Sequence, residues 1–387
     1  MRCLPILLAV SLILPLPALA SGQNDGTADD TEPPKKKSGS RFIDPEDGKL
    51  DLTAASDKGA GFFPLALPFN EPATGIGLAV ALGYFHGSKA TVGSTPNRPK
   101  PPPTTTFGAG AYTQNGSWLG ALGHQHVWNG GRVRYFGAIL TGSVNLKFYG
   151  FGDSDSGQDN GIEFNIKLNA LIQQGKVQLG KSRFFTGGRY VYANTDTTFK
   201  TTLGPIDGKT VDAGVTWLNE YDSRDTTMTP SRGIFGSVDV SYFGAALGGD
   251  FDYGSVQTKF RYYWPLANKW VLGFRGDFDV AGDDAPFYAL PFVKLRGVPA
   301  FRYLGNYLYT VEAEPRYLID QRWSVLAFAG TGRASTESDK LLDAEFAYSY
   351  GAGFRYLIAR KLGLGAGIDI ARGPEDTVGY LTVGSTW

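Results

Sequence analysis

Along most of the chain, apolar and polar residues alternate with a period of two. Ile162, Phe164, Ile166, Leu168 and Ala170 interleave with Glu163, Asn165, Lys167 and Asn169. Ile234, Val238, Val240 and Tyr242 interleave with Ser237, Asp239 and Ser241, and Val256, Phe260, Tyr262 and Trp264 with Ser255, Gln257, Lys259 and Arg261. Trp270, Leu272, Phe274 and Phe278, and later Phe346, Tyr348, Tyr350, Phe354 and Tyr356, repeat the pattern. That period places one row of side chains on each face of a β-strand. Soluble sandwiches also alternate, but their core-facing rows seldom carry so many Tyr and Trp near strand ends. Strands of about ten residues, aromatic toward their ends and charged on the other face, mark a transmembrane barrel. A closed barrel leaves no free backbone edge in lipid.

Sixteen candidate strands fit between residues 61 and 387, from 61–68 and 74–85 through to 361–372 and 377–387. An even number brings both barrel ends to one side of the membrane. The first strand, GFFPLALP, is the weakest, because Pro64 and Pro68 remove ladder donors, which an edge strand tolerates. Starting instead at Thr74 would require a strand hidden in Thr198 to Leu203. Asn115-Gly116, Asn129-Gly130-Gly131, Asp320-Gln321-Arg322 and Ala359-Arg360-Lys361 read as short hairpin connections. Gly87 to Pro103, with its proline tract, reads as a linker-like excursion on either side of the membrane.

Met1 to Ala20 carries one basic residue, an apolar run and an Ala18-Leu-Ala20 ending, as expected of a signal peptide cleaved before Ser21. The one cysteine, Cys3, lies inside it, so no disulfide or thiol-based metal site is expected. Residues 21–60 are polar and acidic with few large apolar side chains, and are expected to form a disordered periplasmic tail. The barrel is expected to fill 61–387. Thirty-seven basic residues balance thirty-seven acidic ones, which gives no electrostatic case for nucleic acid.

Phe292 to Arg316, FVKLRGVPAFRYLGNYLYTVEAEPR, opens as a loop marked by Pro291, Gly297 and Pro299 and becomes an alternating strand from Asn306. Leu295-Arg296-Gly297, then Arg302, then Glu314-Pro-Arg316 resembles the BamA/TamA superfamily of outer-membrane assembly barrels, also called the bacterial surface-antigen family. The resemblance implies an extracellular loop folded back into the lumen, its arginine meeting acids on neighbouring strands. Physically, an Arg beside Gly can thread a narrow bend, and its guanidinium can grip a carboxylate with two prongs. The expected loop lock is Arg296, Gly297, Glu314 and Arg316. Asp222, Arg224 and Asp225, followed by Pro230 and Gly233, resemble the family's periplasmic turn motif; a charge ladder at the rim, with Glu220, is the structural reading preferred to a catalytic one. Leu381, Val383, Gly384 and Trp387 resemble a C-terminal assembly signal, with the last aromatic at the membrane interface.

Two departures stand out. Forty residues cannot hold a periplasmic POTRA repeat of roughly 75. Phe328-Ala-Gly330-Thr-Gly332 has glycine where the family usually carries aspartate, leaving Glu314, with Asp277, Asp279 and Glu312 as local substitutes.

His124 and His126, at i and i+2, have a spacing that could share a divalent metal, but no third ligand is visible, and they are read as structural. His86 is the remaining histidine, near Ser88, and no Gly-x-Ser-x-Gly elbow occurs. No enzyme, metal or cofactor is expected. The resemblance implies insertion or translocation of proteins through a lateral seam, the alternative being a passive pore or structural surface protein. Expected partners are the lipid bilayer with its lipopolysaccharide, the outer-membrane assembly machinery, and a protein client or periplasmic partner.

Overall fold

The computed structural model describes residues 43–44, 47–51, 61–86, 104–150, 161–201, 204–360, 364–383 and 387. Sixteen strands form one antiparallel sheet in chain order. They are β1 (Gly61–Glu71), β2 (Gly75–Phe85), β3 (Thr105–Thr113), β4 (Trp118–Trp128), β5 (Val133–Phe148), β6 (Ile162–Gln178), β7 (Phe184–Thr201) and β8 (Gly204–Asp222). The second half is β9 (Gly233–Phe243), β10 (Tyr253–Ala267), β11 (Trp270–Ala281), β12 (Tyr307–Leu318), β13 (Trp323–Ser335), β14 (Phe346–Ala359), β15 (Leu364–Arg372) and β16 (Thr377–Val383). Each strand is hydrogen-bonded to the next, and β16 returns beside β1 to close the barrel. The stretch Thr198 to Leu203 is not a separate strand: its described part extends β7.

With β1 starting at residue 61, the 87–103 segment joins β2 to β3 at the end where β1 begins and β16 finishes, here the terminal end; the segment itself lies outside the described residues. The outer wall carries a band of exposed apolar side chains, among them Leu82, Leu122, Ile139, Phe260, Val325 and Ile370. Aromatic belts bound it. Trp128, Trp264, Trp270 and Trp323 mark the terminal end, with ring pairs Trp270–Tyr317 at 5.0 Å and Trp323–Tyr356 at 4.8 Å. Tyr112, Trp118, Phe346 and Tyr348 mark the far end. Aromatics with one wet and one apolar side settle at such boundaries.

β6 departs from this facing. Phe164, Ile166, Leu168 and Ala170 are buried inside, whereas Glu163, Lys167 and Asn169 point outward. The reason is length: β5–β8 run 16 to 19 residues, against the ~9–11 that cross a bilayer. Their far halves stand clear of the membrane, where water takes the outer face and the apolar row turns to the lumen.

Within the stretch expected to be a tail, residues 43–44 and 47–51 are docked. Ile43 bridges Leu50, Gly48 turns at φ +68°, and the Arg322 side chain, fully buried, receives the acids. Its guanidinium pairs with Asp44 at 2.6 Å, Asp51 at 2.8 Å and Asp47, and donates to the carbonyls of Leu50 and Leu357. Lys49 pairs with Asp320 at 3.0 Å. Charge thus does the ordering that apolar content could not.

The Arg322 hydrogen bond holds Asp47 below the usual 3.8, and the backbone N–H groups of Trp323 and Arg322, with Lys49, draw Asp320 down to about 2. A carboxylate depressed by docking, as Asp47 is, stabilises it fully above 3.8 and progressively less as pH falls below that value. A spin label at residue 43 is therefore expected to be immobile at pH 7 and increasingly mobile as pH falls below 3.8, and mobile at every pH in Arg322→Ala. A label equally immobile in that variant rules the clamp out.

Candidate functional site

The lumen is filled by the connection between β11 and β12, residues 282–306. This loop is itself a small hairpin: Phe292 bridges Leu304, the Val293 N–H donates to Tyr303, and the Gly305 N–H to Pro291. Its two sides differ chemically. Phe292, Phe301 and Leu304 are buried in one apolar cluster with Val144, Phe164, Ile166 and Leu168 of β5 and β6. Phe301 stacks on Phe292 at 5.3 Å and meets Phe164 edge-on at 5.7 Å. It has φ +65°, a conformation a bulky residue keeps only when packing over-determines it.

The tip, Leu295 to Val298, faces the charged wall of β10–β15. Arg296 donates to Glu314 at 3.0 Å, to Asp369 at 3.0 Å and to Glu312, while its guanidinium lies 3.4 Å from the Phe328 ring centroid. Asp369 is also gripped by both terminal nitrogens of Arg355 at 2.5 and 2.8 Å. Arg275 reaches Glu312 at 3.7 Å and shares Asp277 with Arg261. Four arginines (261, 275, 296, 355) thus face four acids (277, 312, 314, 369). The count balances.

Gly297 sits at φ +84° with its carbonyl so near Gly373, in the β15–β16 turn, that a Cβ on Gly373 would lie 2.2 Å from it. The Gly297 N–H donates to the Tyr380 hydroxyl on β16 at 2.6 Å, Ser349 on β14 donates to the Arg296 carbonyl at 2.5 Å, and Arg302 pairs with Glu375 at 2.8 Å. The loop therefore holds β12, β14, β15 and β16 together. Burial of its apolar side chains, ~1.5–3 kcal/mol each, is the larger hold; a buried ion pair is near break-even, and here it fixes where the tip points.

Of the residues expected to form the lock, Arg296, Gly297 and Glu314 are together. Arg316 is not among them: it donates to the Pro230 carbonyl in the β8–β9 turn. That turn holds the other sequence motif. Arg224 grips Asp222 at 2.8 and 3.0 Å and covers the Phe235 ring at 4.5 Å. Asp225 accepts the N–H groups of Thr226 and Ser231 and the Ser231 hydroxyl. Gly233 turns at φ +109°, where a Cβ would lie 2.5 Å from the Ser223 carbonyl. The turn bends inward, since Thr229 approaches Gly365 on the lumen face of β15. Both ends of the lumen are thereby crossed by chain.

Asp277 does not substitute for the missing aspartate, because Arg261 and Arg275 occupy it. Glu312 and Asp369 serve instead. Glycine at 330 is what the packing requires: a Cβ there would lie 2.8 Å from the Val311 carbonyl, 2.9 Å from Leu295 and 3.0 Å from Glu312. Trp387 also departs from expectation. Its indole is inside the barrel, donating to Glu312 at 3.1 Å and lying where a Cβ of Gly273 would be. The bare backbone of Gly273 supplies the slot. Leu381 faces outward on β16; Val383 ends that strand opposite Ala366, and Gly384 lies outside the described residues.

At the seam, β1 and β16 are neighbours without a ladder among the described residues. The donor pattern of β1 explains this. Even-numbered residues of β2 hydrogen-bond toward β3, since the Gln114 N–H donates to Ile76 and the His86 N–H to Thr104. Leu82 and Leu78 therefore face away from β1, and their partners Pro64 and Pro68 point toward β16. Of the five positions from 62 to 70 aimed that way, two have no N–H.

Arg296→Ala is expected to leave the four acids one cation short, with Glu314 losing its ion pair, at a cost of about 3–5 kcal/mol, so the loop becomes protease-sensitive while the barrel keeps its heat-modifiable gel mobility; unaltered sensitivity would show the tip is held by apolar packing alone. Gly330→Asp, which would restore the acid usual in the resembled family, is expected to loosen the loop by overpacking worth ~1–3 kcal/mol. A tighter loop in that variant would contradict the packing described.

Comparison with known proteins agrees with this architecture. The Omp85 superfamily domain is matched over residues 177–292. BamA from Haemophilus ducreyi lacking POTRA domains 1–3 superposes with TM-score 0.57 at 11% identity, over 84% of this chain and 70% of that one. CdiB from Acinetobacter baumannii gives 0.55 at 10% identity and CdiB from Escherichia coli 0.53 at 11%, over 84% of this chain and 60% and 61% of theirs. Among proteins of curated function no sequence matches. No POTRA-like unit stands beside the barrel among the described residues. Residues 177–292 thus match the Omp85 superfamily domain, and the chain shares the barrel fold of the BamA and CdiB structures.

Proposed function

We propose that this barrel inserts or translocates proteins at the outer membrane through a lateral opening between β1 and β16, with the 282–306 loop as the brace that keeps it shut. The observation that carries the reading is the donor-poor edge of β1: Pro64 and Pro68 aim their missing N–H groups at β16. An edge in lipid that cannot complete its ladder is the cheapest place to part a barrel. A client strand could pair there with β1 or β16 as an added strand. Arg296, Gly297 and Glu314 act as the lock, Asp222, Arg224, Asp225, Pro230 and Gly233 with Arg316 as the closure of the periplasmic end, and Leu381, Val383, Gly384 and Trp387 as the signal read when the assembly machinery inserts this barrel. Residues 1–20 direct export and are removed. The reading is non-enzymatic and needs no cofactor.

A passive pore would need a clear lumen, whereas here the loop and the β8–β9 turn cross it. The test is a disulfide between cysteines introduced at facing positions of β1 and β16, the native sequence offering Cys3 as its one thiol. Cells carrying the locked barrel are expected to match cells lacking the protein, with reductant restoring function. A locked barrel that works normally rejects lateral opening and leaves the structural surface-protein reading.

A further inference from the structure

The three histidines of the chain meet on the outer wall, although they come from different strands. His86 follows β2, and His124 and His126 lie on β4. Thr106 of β3 stands between them: its hydroxyl is 2.8 Å from His86 Nε2 and 2.8 Å from His124 Nδ1, and His124 Nε2 lies 3.4 Å from His126 Nδ1. His126 in turn stacks on the belt residue Trp128 at 4.2 Å. These residues share the exterior face with exposed Leu82 and Leu122. His124 is four residues up the strand from Trp128, so at ~3.3 Å per residue and a tilt of ~45° it stands about 9 Å inside the belt.

Such a chain of donors and acceptors cannot be self-satisfied. Thr106 has one hydroxyl proton and two imidazole neighbours, so it donates to one and accepts from the other. If it donates to His124, then His124 donates to His126, and the Nε2–H of His126 is left over. If it donates to His86, the chain runs the other way and the Nδ1–H of His86 is left over. In either direction one N–H, on His126 or on His86, points out of the cluster beside the Trp128 belt, where a lipid headgroup oxygen can accept it.

Directly above lies an open groove of 550 Å³. Leu82, Leu122 and Ile139 wall it, and Gly108 and Gly137 leave its floor bare. Gly137 also makes room for Tyr135, whose hydroxyl occupies the space of the missing Cβ and donates to Gln173 at 2.5 Å. Polar groups at the belt and an apolar trough leading away from them match a molecule with an acceptor-rich head and a hydrocarbon tail.

We infer that the outer face of β2–β6 binds a bilayer phospholipid of the terminal-side leaflet, its glycerophosphate oxygens accepting the leftover N–H of the His86–Thr106–His124–His126 chain and one acyl chain lying over Gly108 and Gly137. The site is separate from the lumen and the seam, and stands whatever the barrel transports.

The experiment uses the full chain purified in detergent, with dioleoyl phosphatidylglycerol added in steps and bound lipid counted by native mass spectrometry. One tightly held lipid is expected, with affinity reduced at least tenfold in the double variant His124→Leu, His126→Leu. The same loss is expected in Gly108→Leu, which fills the groove and leaves the histidines alone. Heat-modifiable gel mobility identifies folded barrel in each case. Lipid retention unchanged in both folded variants overturns the proposal. So does stoichiometric Zn²⁺ binding that depends on His124 and His126 while lipid binding does not, because the cluster would then be a metal site.

Discussion

A guanidinium buried in a lumen tolerates no arithmetic error. Arg296 is removed from water by the loop that carries it, and the cost of that removal is met only if acids of equal number stand around it. Here Glu312, Glu314 and Asp369 face it, and their surplus is cancelled by Arg275 and Arg355. The acids come from β12 and β15 and the cations from β11, β14 and the loop. The loop, inserted, completes the charge of the barrel, and the barrel, closed, completes the charge of the loop.

The opposite wall works by another rule. Against β4–β8 the same hairpin presents Phe292, Phe301 and Leu304 to a row of aliphatic and aromatic side chains, and there the contact is non-directional. Apolar packing supplies most of the holding energy but would accept small slides. The charged wall does not, because Arg296 reaches its three acids from one position only. Division of labour of this kind lets a loop be strongly bound and still uniquely placed. It also makes the tip asymmetric: its directional contacts fall on β12, β14, β15 and β16, the side that leads to the seam, while Tyr288 at the base of the loop bonds Asp212 of β8.

Much of this was legible in the sequence, for a simple reason. A period of two reports facing directly, so strand number, strand order and the outward rows of β9, β10, β11 and β14 could be read before any coordinates. What could not be read depended on length or on distant partners. The polar and apolar rows of β6 are unmistakable, yet which row meets lipid depends on how far the strand outruns the bilayer. Asp369 is 73 residues from Arg296 and sits in an ordinary alternating strand; only barrel closure brings it near. Asp44, Asp47 and Asp51 looked like a solvated acidic run because the reading weighed apolar content, and Arg322, their partner, is some 270 residues away. His86 looked unrelated to His124 until β3 set Thr106 between them.

Gly330 shows how the lack of one side chain decides where the arginine finds its acids. An aspartate at that position would tie Arg296 to β13, in the interior of the sheet. With glycine there, Leu295 and Glu312 occupy the space, and the acid that the arginine needs is Asp369 on β15. β15 is the strand that holds β16, and β16 is the strand whose other edge meets the prolines of β1. The guanidinium is thus one strand removed from the seam, and Gly297 touches the seam strand itself through Tyr380. The loop tip is linked to β16 through the Arg296–Asp369 ion pair with the β15–β16 ladder, and directly through the Gly297–Tyr380 hydrogen bond. With glycine at 330, the grip of the loop falls on β12 and β15 and, through Gly297, on β16, beside the edge that faces the prolines of β1.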